Sequence, residues 1–463
     1  MQKAKSFNDY YNDVSSKFLE EYCDKNKDEN IVFSPYSIIS LLSMITESTA
    51  GDTKEEMMEL LNGFAGYPET LRNIVSLNER FAAEDVISNA NALCVRKDMK
   101  RHIKENFQKD MRDKFSAEVF SADNLVKLVN SWVKEKTKDM IPAIMSDDRN
   151  DLLLSVLNAI AFDAVWKDEY RDLDVKCGDF HNSDGSIEED FFLWSEETEY
   201  INENGIAGFI KPYKDCGFSY MAILPQKESD NIDFLLRNLD LTKIYESRKK
   251  GSISVRMPEF GCDFKDALDE TVMRFGISKV FSDHADFSPL SDEWLRVSSI
   301  THKACISVDR KGTKAVSVTF GDYGAGGFFW LDEKYERREI TLDRPFIYAV
   351  IHNETGLPVF AGVEKNIKDV DMLEGIKTED VEFTGFIPQK YSFKKREDRL
   401  DMCSDRADEI RGKIRPVIYS DPENYSRLRR LMDQIIDAER NTNIQELDLI
   451  NHTVNVILSC CTP

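Results

Sequence analysis

The chain has 463 residues with a formal net charge of −23, and 41% of its residues are hydrophobic. The negative charge repels phosphate backbones and so excludes nucleic acids as favoured partners. The nine cysteines form no C-x-x-C pair, the N-terminus has no apolar signal segment, and no apolar run is long enough to span a membrane. We therefore expect a cytoplasmic protein without a metal site, or a secreted one whose leader was removed.

Predicted helices come first along residues 1–367, and predicted strands follow. An amphipathic helix is expected over 6–23, and Thr53 with Glu56 predicts a capping box for a helix that begins at Lys54. An apolar run over 152–166 predicts a strand buried on both faces. A further helix is expected over 124–138, and shorter strands at 31–33, 88–95, 218–224, 252–257, 304–309, 346–352 and 357–363. Helices gathered before strands favour an α+β fold over alternating α/β.

Residues 368–463 differ in character from the rest of the chain. Apolar residues there recur at alternating steps of three and four in three segments, which Pro416, Pro422 and 441–443 separate. This spacing predicts a bundle of about three antiparallel helices, and thus a second domain after 1–367. Such a bundle either packs on the preceding domain or docks a partner that the sequence does not identify.

Several short motifs occur in the order in which one protein family has them. They are Asn30 with Phe33-Ser34-Pro35 and Ser37, Ala50-Gly51-Asp52-Thr53, Asn130-Ser131-Trp132-Val133, Asn158-Ala159 through Trp166, Met257-Pro258-Glu259-Phe260 and Asp343-Arg344-Pro345-Phe346. Each motif is weak alone, but together they cover residues 6–367 and resemble the serpin family, a group of suicide inhibitors of proteases. The resemblance implies an α+β domain of three β-sheets and about nine helices. It also implies a metastable central sheet that can accept the bait loop as an extra strand.

The segment that follows Asp309 resembles the hinge of a serpin bait loop. Its alternate side chains are small, so they can enter a packed sheet without overfilling the core, and no proline lies between Gly312 and Trp330. Gly312 is predicted to give the bend where the loop leaves its strand. Arg310 and Lys314 stand where the family usually or often has glutamate. The hinge comprises Gly312, Thr313, Lys314, Ala315, Val316, Ser317, Val318 and Thr319, with valines in place of the usual alanines.

The cleaved bond is predicted by counting from the hinge. Fourteen residues beyond Gly312 the count reaches Gly326, which puts the bond before Gly327. The loop to Pro345 is longer than the resemblance implies, so Ala325, Phe328 and Phe329 are alternatives. A small residue suits an elastase-like or subtilisin-like protease, whereas phenylalanine suits a chymotrypsin-like one.

The resemblance implies a mechanism that needs no catalytic residue and no cofactor of the chain's own. A serine protease, or alternatively a cysteine protease, attacks the bait and forms an acyl-enzyme, and insertion of the loop traps that covalent complex. A non-inhibitory serpin with a binding or chaperone-like role is the alternative. The resemblance places Ser34, Ser37, Asn158, Trp166 and His302 in the region of the sheet that opens.

Overall fold

The computed structural model describes residues 6–313 except 63–64, 123–124, 146–152, 172–173, 228, 230 and 238, then 338–367, and in the C-terminal part 402–407, 409–410, 413 and 447. The α-helices are α1 Phe7–Lys25, α2 Pro35–Ser48, α3 Gly51–Leu61, α4 Tyr67–Ala82, α5 Glu105–Phe115, α6 Leu125–Lys136, α7 Ile232–Leu236, α8 Leu241–Glu246 and α9 Asp269–Arg274. The 3₁₀ helices Lys97–His102 and Lys279–Phe281 bring the described helices to about eleven, against the nine expected.

Local capping explains where the first helices begin. Ser6 and Asp9 form a reciprocal capping box at the start of α1, and the Ser34 side chain caps α2 by accepting the Ser37 N–H. The predicted capping box of α3 is wrong, because α3 begins three residues earlier, at Gly51, without a side-chain cap. Thr53 Oγ1 instead accepts the Asp286 N–H at 3.0 Å, so this hydroxyl joins α3 to a distant turn.

The described strands are β1 Ile31–Phe33, β2 Ile87–Val95, β3 Ala117–Phe120, β4 Leu154–Phe162, β5 Ala164–Val165, β6 Val175–His181, β7 Ile187–Glu203, β8 Ile206–Pro212, β9 Phe218–Pro225, β10 Lys249–Pro258, β11 Phe260–Ala267, β12 Val297–Val308, β13 Gly312–Thr313, β14 Glu339–Thr341, β15 Phe346–His352 and β16 Pro358–Glu364. The apolar run predicted as one strand is split into β4 and β5 by Asp163, and every residue of β4 is buried as expected.

The strands form three sheets. The central sheet has the order β3-β2-β4-β12-β11, in which β4 and β12 are parallel neighbours and β11 and β12 are antiparallel. The short strands β13 and β5 belong to the same sheet, since β13 pairs with β12 and with β5. The remaining strands join through the long β7, which divides them into two sheets. Its first part, Ile187 to Leu193, pairs with β6, and its middle, Phe192 to Tyr200, pairs with β10. Its last residues, Glu199 to Glu203, pair with β8. The second sheet runs from there through β9, β15 and β16 to β1, and β14 pairs with β10 in the third. The α+β fold with three sheets is thus confirmed.

The C-terminal residues that the structure describes include a helical stretch at 402–407. Cys403, Ala407 and Ile410 are buried there, as is Leu447. These four lie on the predicted seams, but most of the predicted bundle lies outside the described residues, so the bundle and its domain boundary stay predictions. Within the described part of the chain, no helix is both long and apolar enough to cross a membrane.

Candidate functional site

A row of polar side chains crosses the middle of the central sheet. Asn91 on β2 lies opposite Asn158 on β4, and Asn158 lies opposite His302 on β12. His302 Nε2 accepts the backbone N–H of Ser34 at 3.2 Å, and His302 Nδ1 lies 2.9 Å from Asn158 Oδ1. Because Nε2 accepts, the ring proton is on Nδ1 and is donated to Asn158. The structure therefore brings together Ser34, Asn158 and His302, three of the predicted sheet-opening residues.

The amide of Asn158 extends this row beyond the residues that the sequence suggested. Asn158 Nδ2 donates to Asn89 Oδ1 at 2.9 Å and to Asn91 Oδ1 at 2.8 Å, and Asn91 Nδ2 donates to the Phe115 carbonyl. Asn89 and Asn91 lie outside the motifs that predict the site. Two asparagines two residues apart in a strand share one face, which is a signal that could have found them.

Ser37 enters the region through its backbone rather than its hydroxyl. Its N–H donates to Ser34 Oγ at 3.1 Å and so fixes the start of α2. The Ser37 hydroxyl is buried and has no hydrogen-bond partner in the part of the chain that the structure describes. Ser37 therefore positions the backbone of α2 and has no direct hydrogen bond to His302.

Burial sets the charge state of His302. The side chain is 0% exposed, and desolvation lowers its pKa to about 3, so the ring is neutral at physiological pH. A histidine with a lowered pKa binds fewer protons when folded than when unfolded. Its contribution to stability is therefore complete above the unfolded pKa of about 6.5 and is lost as the pH falls toward 3.

We expect His302→Asn to make unfolding less sensitive to acid than it is in the wild type. Between pH 7 and pH 4 the wild type should lose roughly 3 kcal/mol of unfolding free energy that the variant, without a titrating ring, does not lose. Urea denaturation of both proteins at pH 7, 6, 5 and 4 measures this difference. Equal acid sensitivity of the two proteins would contradict a buried neutral His302.

Trp166 lies apart from this row, at the entrance to the hinge. It follows β5, stacks on Tyr213 at 4.7 Å between ring centroids, and donates from Nε1 to the Asp309 carbonyl at 2.8 Å. Its backbone N–H donates to the Lys311 carbonyl, also at 2.8 Å. Trp166 thus holds the turn that precedes the hinge, rather than the middle of the sheet.

The hinge begins in a tight turn at the end of β12. Asp309 Oδ1 accepts the N–H groups of Lys311 and Gly312 at 2.7 and 3.0 Å, and the Asp309 N–H donates to the Gly312 carbonyl. Thr313 then pairs antiparallel with Val308 on β12 and with Ala164 on β5. The first two hinge residues therefore lie between β12 and the continuation of β4.

Gly312 is needed for a different reason from the predicted bend. The turn is made by Asp309 to Lys311, and Gly312 is already part of β13. A Cβ at this position would lie 2.0 Å from the Ala164 carbonyl oxygen and 2.7 Å from Val165 Cα. Glycine is thus required because two backbones approach closely. The other hinge residues, 314–319, and the predicted bond region 325–329 lie outside the described residues.

Arg310 has a local acidic partner. Its guanidinium Nε lies 3.4 Å from Glu259 Oε1, and its backbone N–H donates to the same oxygen at 3.1 Å. Burial raises the pKa of the Glu259 carboxyl, and the positive charge of Arg310 opposes that rise. Serpins usually have a glutamate at the position of Arg310. Here the arginine is accommodated because Glu259, between β10 and β11, supplies a carboxylate beside it.

A charge exchange tests this pair. We expect Arg310→Glu to place two carboxylates together and lower the unfolding free energy by about 1 kcal/mol, since the site is partly exposed. Arg310→Glu combined with Glu259→Arg should recover most of that loss. Urea denaturation of both variants measures the effect, and a double variant no more stable than the single one would contradict it.

A family profile described as "Serpin (serine protease inhibitor)" matches residues 9–366. The chain belongs to the serpin family. Plasminogen activator inhibitor 1 of Sus scrofa is 29% identical over 371 residues, which cover 76% of this serpin and 90% of that protein. Serpin-Z2A of Triticum aestivum is 28% identical over 363 residues, 72% of this chain and 89% of its own.

Solved serpin structures have the same fold. The native state of the thermophilic serpin tengpin has a TM-score of 0.68 and 28% identity, covering 79% of this serpin and 96% of that chain. Thyroxine-binding globulin in complex with thyroxine has a TM-score of 0.69 at 22% identity, and the match covers 78% of this serpin and 99% of that chain. This likeness shows the fold alone. Family membership makes this chain one of a group of protease inhibitors and not an enzyme, as the motifs predicted.

Proposed function

We propose that this serpin is a suicide-substrate inhibitor of a serine protease of elastase-like, chymotrypsin-like or subtilisin-like specificity. The protease attacks the bait, the hinge inserts between β4 and β12, and the acyl-enzyme is trapped before water can release it. The partner is thus held in a covalent complex, and this chain supplies the strand that traps it.

The observation that carries this proposal is the position of Gly312 and Thr313. They pair antiparallel with β12 on one side and with β5 on the other. They lie just beyond the end of the parallel ladder that joins β4 to β12. An extension of β13 would replace one parallel ladder by two antiparallel ladders. Antiparallel pairing is slightly more stable per residue, so insertion lowers the free energy of the sheet.

The sequence of the hinge supports the same function. Thr313, Ala315, Ser317 and Thr319 alternate along it, and side chains of this size fit a packed sheet. Arg310 is compensated by Glu259, so this departure from the family does not weaken the turn. The lengthened loop and Lys314 are the features that favour the alternative, a non-inhibitory serpin with a binding or chaperone-like role.

Incubation with a panel of serine and cysteine proteases tests the proposal. We expect a covalent complex that survives SDS with at least one elastase-like, chymotrypsin-like or subtilisin-like enzyme. The mass of the released C-terminal fragment would locate the bond, with Gly326–Gly327 expected and Ala325, Phe328 or Phe329 as alternative positions before it. Clean cleavage by every protease, with neither a complex nor a rise in heat resistance, would refute inhibition and favour the alternative.

A further inference from the structure

A buried ion pair lies beneath the entrance to the hinge. Lys211 on β8 and Glu197 on β7 are joined at 2.7 Å between Nζ and Oε1, and their side chains are only 3% and 8% exposed. Desolvating two charges is costly, and an ion pair of this kind is often no more stabilising than apolar residues of similar volume. Stability of the core alone therefore does not account for the pair.

The ammonium group of Lys211 also faces two aromatic rings. Its Nζ lies 4.4 Å from the ring centroid of Tyr170 and 5.5 Å from that of Trp166, within the range of cation–π attraction. Glu197 Oε1 accepts the hydroxyl of Ser195, which lies 3.3 Å from the Tyr170 hydroxyl. The pair thus fixes the positions of both rings from one side.

The same two residues hold the turn that precedes the hinge. The Trp166 indole and backbone N–H groups donate to the carbonyls of Asp309 and Lys311, and the Tyr170 N–H donates to the carbonyl of Arg310 at 3.0 Å. All three carbonyls of the turn are therefore bound by a segment whose two rings rest on Lys211. The segment is also tied to the end of β8, because the Lys167 N–H donates to the Pro212 carbonyl.

We propose that Lys211 and Glu197 form a latch that holds the turn 309–311 closed and so resists opening of the central sheet at the hinge. Lys211 acts as a positioning residue through Trp166 and Tyr170, and Glu197 keeps the ammonium group beneath the rings. This proposal rests on the proposed function in one respect: it takes the opening of the sheet to be the step that admits the loop.

Hydrogen–deuterium exchange of the whole chain tests the latch. The decisive variant is Lys211→Met with Glu197→Leu, because it leaves no unpaired buried charge and should fold even if Lys211→Met alone does not. We expect peptides covering 164–171 and 305–313 to exchange on the order of tenfold faster, since the cation–π contacts are lost. The urea midpoint and exchange elsewhere should stay as in the wild type.

Lys303→Met is the matched control. Lys303 forms an ion pair with Asp263 at 3.0 Å in the central sheet but holds no part of the turn, so exchange at 305–313 should change little. Unchanged exchange at the turn in the double variant would overturn the latch. A general rise in exchange with a lowered urea midpoint would also overturn it, because the pair would then be only a stabilising contact. No protease is needed here, so clean cleavage in the protease panel, with neither a complex nor a rise in heat resistance, would refute the proposed function and leave this result standing.

Discussion

Thr313→Arg is expected to abolish the proposed trapping of a protease and to leave this serpin an ordinary substrate. Thr313 is 0% exposed and its hydroxyl lies 2.5 Å from the Tyr213 hydroxyl, between β12 and β5. An arginine at this position would have to bury its charged guanidinium between β12 and β5, at a cost of several kcal/mol. Insertion should then become at least tenfold slower, and deacylation should win.

The measurement is the number of inhibitor molecules cleaved for each protease molecule trapped in an SDS-stable complex. We expect this number to rise at least tenfold for Thr313→Arg, with nearly all of the chain recovered as cleaved product. Thr313→Ser keeps a small side chain and the hydroxyl, and should trap protease as the wild type does. A Thr313→Arg variant that forms complexes at the wild-type ratio would show that a small side chain at this position is not needed for insertion.

Asn158→Ala is expected to give the largest loss of stability of any single change in the polar row of the central sheet. It removes the hydrogen-bond partner of His302 Nδ1 and of the side-chain oxygens of Asn89 and Asn91 at once. These groups are too deep for water to replace the bonds, so we expect the unfolding free energy to fall by about 3–5 kcal/mol. Urea denaturation with fluorescence detection measures the loss.

An exposed asparagine provides the control for this loss. Asn202 accepts a hydrogen bond from Gln226 at the surface, so Asn202→Ala should change the unfolding free energy by less than about 0.5 kcal/mol. If Asn158→Ala were as mild as Asn202→Ala, the row across the central sheet would not be a cooperative network.

The order of motifs was enough to predict the family and the α+β fold, and the hinge stays a prediction. Ser34, Asn158 and His302 were correctly grouped because each lies in a motif of its own strand or helix start. Glu259 and Lys211 were not identified as functional, because their roles depend on partners far along the chain. The sequence contains no local signal for such contacts between strands.

Two predictions failed for reasons that lie in the packing. Thr53 has the right spacing from Glu56 for a capping box, but the Asp286 N–H competes for its hydroxyl and Glu56 Oε1 accepts the Lys279 N–H at 2.7 Å. The glycine at 312 was attributed to a bend, whereas the neighbouring backbone of Ala164 is what excludes a side chain. Local patterns predict what a residue can do, and tertiary neighbours decide which option is used.

The polar row across the central sheet has more side-chain hydrogen bonds between β4 and β2 than between β4 and β12. Asn158 binds Asn89 and Asn91 on β2, and the proposed insertion would leave β2 and β4 paired while it separates β4 from β12. Of the side-chain hydrogen bonds in the row, the one between Asn158 and His302 joins β4 to β12. Substitutions on the β2 side can therefore alter the free energy of unfolding without touching the contacts between β4 and β12. Those contacts are the His302 bond, the Ser155–Ser299 hydroxyl pair and the backbone ladder. The stability of the native protein and the rate of the proposed loop insertion can thus change separately during evolution.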